Sequence, residues 1–289
     1  MSRLAELREG VRLHPYVSLR AGGRARFFAE PSDRTGAAAL VQWAEKEAID
    51  WACLGGGTNV LFSDSGYDGL IVRTTALRGT AIDGTRVRAA AGEPLAALAW
   101  NACEQGLSGM EWACGIPGTV GGAVVMNAGT RDGEAVEVLA EVESVGADGV
   151  SRRLAADLRL GYRTSALLTR DLHEVVTAAT FDLVPSTRER TLATARRILD
   201  ERAQRLPRGA TAGCTFRNPR DGLPAGALLD RAGCKKLRVG DVHVSGLHAN
   251  FLINDGSENA SDILELIEAM KSRVREAFGI ELVEEIVIS

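Results

Sequence analysis

None of the cysteines in this 289-residue sequence is paired as C-x-x-C, and the five present (Cys53, Cys103, Cys114, Cys214 and Cys234) are odd in number and widely spaced. That spacing excludes a disulfide framework and a cysteine-built zinc site, so no metal is expected. Cys53, Cys103, Cys114 and Cys234 are expected as small core residues, while Cys214 stands apart because of the residues around it. No apolar run approaches the roughly 18 residues that a membrane-spanning helix needs. The opening residues, MSRLAELREGVRL, carry charge where a secretion signal is apolar. A cytoplasmic protein with no membrane partner is therefore expected. Lysines and arginines form no long run and the net charge is −4, which leaves no footprint for nucleic acid. Internal repeats and low-complexity segments are absent, and nothing points to an obligate protein partner.

Glycine, by contrast, is concentrated in one place. From Gly109 to Gly129 the chain reads GMEWACGIPGTVGGAVVMNAG, six glycines in 21 residues with one proline among them. Glycine reaches positive φ and lets a backbone come into contact with a ligand, whereas proline stiffens the turn between. Such a segment fits a tight turn between packed elements, and it fits a surface that meets something flat or anionic with its main chain. The large apolar residues between the glycines (Met110, Trp112, Ile116, Val120, Val124, Val125 and Met126) favour a buried segment over a flexible linker. A buried segment must satisfy its N–H groups, and a bound cofactor is one way to do so.

Composition (45% hydrophobic, 25% charged) is that of an ordinary globular chain, and the length suggests two or three domains. A short helix is expected to open the chain, followed by a strand near Arg26–Ala29 and a helix over 34–48. The strand-like WACL (51–54) runs directly into GGGTN (55–59), a common way to present backbone amides to phosphate. A further strand lies at 69–73, and Asp83-Gly84 and Asp148-Gly149 mark hairpins. Pro94 fits the start of a helix that stops at Gly106. Ser186 or Thr187 can cap a long amphipathic helix that ends before LPRG (206–209), where a domain boundary is placed. A short helix through Leu228 and Leu229, a strand NFLIN (250–254) and a helix capped by Ser261 and stopped by Gly279 complete the pattern.

Four separated strings, LGGGTNVLFSDSGYDGLIV, GIPGTVGGAVVMNAG, GYRTS and AGCTFRNP, stand in this order ahead of HANFLIN and a carboxylate-rich ending. Together they resemble the UDP-N-acetylenolpyruvoylglucosamine reductases, flavoenzymes that form UDP-N-acetylmuramate for peptidoglycan. The resemblance runs from about Ser18 to Ile288, and the short spacing from Arg163 to Cys214 matches the compact subgroup that lacks a substrate-capping insertion. It implies an α+β protein: a two-subdomain FAD-binding fold of the vanillyl-alcohol-oxidase (PCMH) type plus a C-terminal α+β substrate-binding domain. The implied boundaries are 1–77 and 78–206 for the two subdomains and 207–279 for the third domain, with a strand near 280–289 returning to the first.

Residue roles follow from the resemblance. Gly55, Gly56, Gly57, Thr58 and Asn59 would cradle the FAD pyrophosphate, while Pro117, Gly118, Thr119, Gly121, Gly122, Ala123, Asn127 and Gly129 would line the flavin. NADPH is the implied reductant and a UDP-sugar the implied substrate. Arg163 would face negative charge developing on the substrate, and Cys214, where the family normally has serine, would deliver a proton. A thiol with a reference pKa near 8.5 is a competent general acid. The family's carboxylate falls on Glu285, with Glu284 the alternative because it occupies the position of a family proline. Arg205, Arg217, Asn218 and His248 are the implied substrate contacts, with Asn250 and His248 equally compatible with hydrogen-bonded core groups. Another FAD oxidase of the superfamily is disfavoured because none of the histidines at 14, 173, 243 and 248, through which several of those oxidases attach FAD, lies in the two glycine segments. A non-catalytic nucleotide-binding homologue conflicts with retention of Arg163, Cys214 and Glu285. A dinucleotide-binding dehydrogenase conflicts with the missing G-x-G-x-x-G before a helix.

Overall fold

A computed structural model describes residues 7–289. The expected opening helix falls partly on residues outside this range; within it, Arg8–Arg12 is a strand, β1. The chain divides into two compact units. One comprises residues up to Glu9, Phe27–Gly56 and Gly69–Arg202, and the other Gly10–Arg26, Gly57–Asp68 and Ala203–Ser289. Residues 10–26 and 57–68, which the sequence placed with the first FAD-binding subdomain, thus group with the last third of the chain.

The first unit holds two cores. A four-stranded sheet runs in the order β1-β2-β5-β3, with β2 at Arg24–Ala29, β3 at Trp51–Leu54 and β5 at Tyr67–Arg73, and β3 lies parallel to β5. Helix α1 (Arg34–Lys46) joins β2 to β3 and is started by Asp33, whose carboxylate accepts the Gly36 N–H at 2.8 Å. Its buried positions Ala37, Leu40, Val41 and Ala44 recur at helical spacing and pack with Trp51, Leu70 and Val72. The second core lies on a five-stranded antiparallel sheet, β12-β11-β13-β7-β6. Here β6 is Thr80–Asp83, β7 Arg86–Ala90, β11 Leu139–Gly146, β12 Gly149–Leu154 and β13 Val175–Asp182. In β7 the exposed Arg86 and Arg88 alternate with the buried Val87 and Ala89, the two-residue period of a strand with one wet face. Helices α2 (Leu95–Glu104) and α3 (Val120–Met126) cover the apolar side through Leu95, Leu98, Ala99, Val120 and Val124. The short strands β8 (Leu107–Ser108) and β14 (Val184–Pro185) pair with each other, as do β9 (Gly129–Thr130) and β10 (Gly133–Glu134). Helix α4 (Arg188–Arg205) follows, with the Thr187 hydroxyl accepting the Arg190 N–H at 3.3 Å.

The second unit is built around helix α6 (Ala260–Phe278), which buries Ile263, Leu266, Ile267, Met270 and Val274. Helix α5 (Ala225–Arg231) and the antiparallel sheet β15-β16-β17 (Arg238–Val239, Val242–Val244, Leu252–Asn254) share this core. The last strand, β18 (Val287–Ile288), pairs in parallel with β4 (Val60–Leu61). No helix among the described residues is long and apolar enough to cross a membrane.

Gly279 ends α6 at φ +68°, as its position in the sequence implies. The start of α6 differs from expectation, because Ser261 is not its cap. Asp64, 196 residues earlier, accepts the Ala260 N–H at 2.6 Å and the Ser261 N–H at 2.9 Å. Burial opposes ionisation of this carboxyl, but the three hydrogen bonds from Ala260 and Ser261 outweigh it and hold the group below the usual carboxylate range. Asp64→Ala is expected to cost about 1 kcal/mol of stability, the typical worth of a cap. Because the folded state binds the proton less readily than the unfolded state, this contribution is present above the unfolded pKa and fades as pH falls below about 4. Chemical denaturation of both proteins at pH 7 and pH 3 checks this: the difference should shrink at pH 3, and an equal difference at both would contradict it.

Candidate active site

Gly55 of the first glycine string and Thr119 of the second meet in the first unit. Gly55 follows β3, and a Cβ built there would lie 2.6 Å from the Thr119 hydroxyl and 3.9 Å from the Gly122 nitrogen. Gly118 sits at φ +117°, a conformation that suits glycine. The Thr119 hydroxyl accepts the Gly122 N–H at 3.3 Å and so starts α3. Part of the glycine content nevertheless serves the protein itself. The Gly121 N–H donates to Ala91 O and the Val120 N–H to Glu93 O, both at 2.9 Å. A Cβ on Gly121 would lie 2.9 Å from Ala91 Cβ, and one on Gly129 would lie 2.4 Å from Glu134 Cβ. The expectation that a ligand takes up these buried amides is therefore corrected at Val120 and Gly121, where neighbouring chain accepts them.

The GYRTS string is fastened to the C-terminal end of α3. Arg163, at φ +54°, donates through its two terminal nitrogens to Asn127 O at 3.3 Å and Gly129 O at 2.6 Å. The Ser165 hydroxyl donates to Val125 O at 2.6 Å. Asn127 closes α3 in the left-handed region at φ +42°, fully buried. Its side-chain amide donates to Gly161 O at 3.0 Å and accepts the Val136 N–H at 2.9 Å. The sequence placed Asn127 along the flavin, whereas its side chain is committed to the protein.

In the second unit, Cys214 lines a cavity of about 350 Å³ together with Asn218, Asp230, Lys235, His248 and Asn250. The cavity wall is held by Asn250, 2% exposed, which clamps the main chain of Phe216 from both sides: it accepts the N–H at 2.9 Å and donates to the carbonyl at 2.8 Å. Asn250 is thus a core group. His248 is oriented by the Asn250 N–H, which donates to Nδ1 at 3.2 Å. Burial, together with the nearby Lys235, disfavours the imidazolium and lowers its pKa. The neutral ring consequently carries its proton on Nε2 and is a donor there. Asn218 Oδ1 accepts the Ala225 N–H at 3.0 Å, at the start of α5. Lys235 pairs with Asp230 at 2.8 Å. Sequence reasoning missed both, although a lysine two residues after a helix-ending glycine was a visible signal. Arg205 is exposed at the end of α4, and Arg217 is half-buried with its N–H bonded to Val283 O at 2.9 Å.

Glu284 and Glu285 separate clearly. The Glu284 carboxylate takes Lys271 Nζ of α6 at 2.7 Å. Glu285 is tied by its main chain: its N–H donates to Thr215 O at 2.8 Å, and its carbonyl accepts Asn59 Nδ2 at 3.0 Å. Asn59 of the GGGTN string, Glu285 and the residue beside Cys214 are therefore linked within this unit. Gly57 belongs here too, at φ +66°, where a Cβ would lie 2.0 Å from Tyr16 O. Of the remaining cysteines, Cys103, Cys114 and Cys234 are buried as expected, whereas Cys53 is exposed.

Residues 204–289 match the profile of the UDP-N-acetylenolpyruvoylglucosamine reductase C-terminal domain. A reductase of that name from Synechococcus elongatus is 39% identical over 99% of this chain and 95% of that protein. The chain belongs to the UDP-N-acetylenolpyruvoylglucosamine reductase family. A Clostridium botulinum member is 34% identical over 97% of the chain and 92% of its own length. The crystal structure of the Thermus caldophilus reductase superposes with a TM-score of 0.83 at 33% identity, covering 98% of both chains. Residues 25–155 match an FAD-binding domain. The α+β fold class and the flavin-dependent oxidoreductase class expected from the sequence both hold for this reductase family member. Its residues also fit FAD on their own geometry. A Cβ on Gly55 would lie 2.6 Å from the Thr119 hydroxyl and Gly118 is at φ +117°, so both loops require glycine, the residue that lets a backbone approach a pyrophosphate and a flat ring closely.

Proposed function

We propose that this chain reduces UDP-N-acetylglucosamine enolpyruvate to UDP-N-acetylmuramate with NADPH, a step in peptidoglycan synthesis. The observation that carries this reading is the cavity of the second unit, which gathers a thiol, a lysine, a neutral histidine donor and an asparagine. A sugar nucleotide offers matching chemistry, with diphosphate for a cation and sugar and base polar groups for the amide and imidazole. Lys235 would leave Asp230 for the diphosphate, and Asn218 and His248 Nε2 would hydrogen-bond the sugar nucleotide. Arg205 and Arg217 add positive charge for the same anion.

Gly55, Gly56, Gly57, Thr58 and Asn59 would hold the FAD pyrophosphate, and Pro117, Gly118, Thr119, Gly121, Gly122, Ala123 and Gly129 would border its ring. When bound, FAD supplies the two-electron relay from NADPH to C3 of the enolpyruvyl group. As C3 gains hydride, negative charge develops at C2 and spreads into the adjacent carboxylate. Arg163 opposes that charge, its guanidinium preorganised by two main-chain carbonyls. Cys214 gives its proton to C2, and the thiolate is reprotonated from solvent. Glu285 orients the acid and the substrate carboxylate. A cytoplasmic site of action fits a substrate too highly charged to cross a bilayer unaided.

Mass spectrometry of an incubation with NADPH and the enolpyruvyl nucleotide tests the proposal. The product should be two hydrogens heavier than the substrate, with one NADPH consumed per product. Recovery of unchanged substrate from flavin-loaded protein would contradict it.

A further inference from the structure

We infer that Asn127 is a positioning residue for Arg163, so that the end of α3 sets the place of the cation in the reaction; this rests on the role proposed above for Arg163. Three contacts converge. The Asn127 amide donates to Gly161 O, two residues before Arg163, and so fixes the entry to the turn. Its own carbonyl takes one arm of the guanidinium while Gly129 O takes the other. The Val136 N–H pins the side chain from the far side, leaving the amide one orientation in which both its nitrogen and its oxygen are bonded. Asn127 is fully buried, and its φ of +42° is one that asparagine adopts more readily than other side-chain-bearing residues. The turn that carries Arg163 is narrow, with Gly161 and Thr164 exchanging main-chain hydrogen bonds at 3.0 and 3.2 Å, and Arg163 itself is at φ +54°. A guanidinium on such a turn moves whenever Gly161 moves. Because stabilisation of developing charge depends on fixed donors, a displacement of the order of 1 Å is enough to cost roughly 100-fold in rate.

Asn127→Asp is the informative change. It keeps shape and the acceptor for Val136 N–H, but sets a carboxylate oxygen against Gly161 O in place of a donor. The holoenzyme should keep its FAD content but melt below the parent, since a carboxyl is buried against an acceptor. Amide exchange across 161–165 should become faster, and re-oxidation of the reduced enzyme by the enolpyruvyl nucleotide should slow at least tenfold more than reduction by NADPH. The decisive readout is the cycle with Arg163→Ala. The Asn127→Asp effect on re-oxidation should vanish once Arg163 is absent, because the asparagine acts only through it. Full additivity, or equal slowing of both half-reactions, would overturn the inference. If Asn127→Asp proves too unstable to purify, Ser165→Ala, which removes the second fastening of the turn, is put through the same cycle with the same criteria. An unchanged re-oxidation rate in Arg163→Ala alone would instead remove the role of Arg163, and the two failures are told apart by that single variant.

Discussion

Cys214→Ala is expected to slow re-oxidation of the reduced enzyme by substrate roughly 10²–10⁴-fold, the usual worth of a general acid, while reduction by NADPH stays close to the parent rate. Protonation of C2 is needed only in the second half-reaction, so the losses must be unequal. Cys214→Ser should retain turnover within about tenfold, since a hydroxyl occupies the same place and can donate, though less readily than a thiol. The cysteine also creates a vulnerability. Cys214 lines the cavity and is reachable, whereas Cys103, Cys114 and Cys234 are buried. A small alkylating reagent should inactivate the parent and spare the serine variant. Although exposed, Cys53 should react slowly in both proteins, because desolvation pushes its thiol up to about 12 and leaves little thiolate. Inactivation of the serine variant at the parent rate would remove Cys214 from the chemistry.

Arg163→Ala is the second large effect. Loss of one preorganised donor at a developing oxyanion costs roughly 10²–10³-fold, about 2.7–4 kcal/mol, and the same loss is expected here in re-oxidation. Arg163→Lys should recover only part of it. An ammonium restores charge but cannot span Asn127 O and Gly129 O as the planar fork does. Equal slowing of NADPH-driven flavin reduction and of re-oxidation in the alanine variant would contradict the role.

Much of the framework was legible because local chemistry decided it. WACL forms β3 over the expected residues, and both hairpins turn where Asp-Gly pairs stand, with Gly84 at φ +57° and Gly149 at φ +99°. Thr187 caps α4 and Gly279 ends α6. What sequence could not show was decided by residues far apart in the chain. Asp64 caps α6 from a distant loop, and β18 pairs with β4, so residues 57–68 group with the last third. The motif at Cys214 was visible, but the cavity around it depends on Asn250 clamping Phe216 and on Lys235 arriving from beyond α5. Asn127 shows the same limit at one residue. A buried asparagine beside glycines reads as a ligand contact, and only the positions of Gly161 and Val136 show that its amide is already engaged.

Anaerobic stopped-flow absorbance of the flavin-loaded protein tests the central claim most directly. NADPH should bleach the flavin band, and a second addition of UDP-N-acetylglucosamine enolpyruvate should restore it as UDP-N-acetylmuramate forms. Bleaching without recovery would contradict the reductase assignment and, with it, the roles of Arg163 and Cys214.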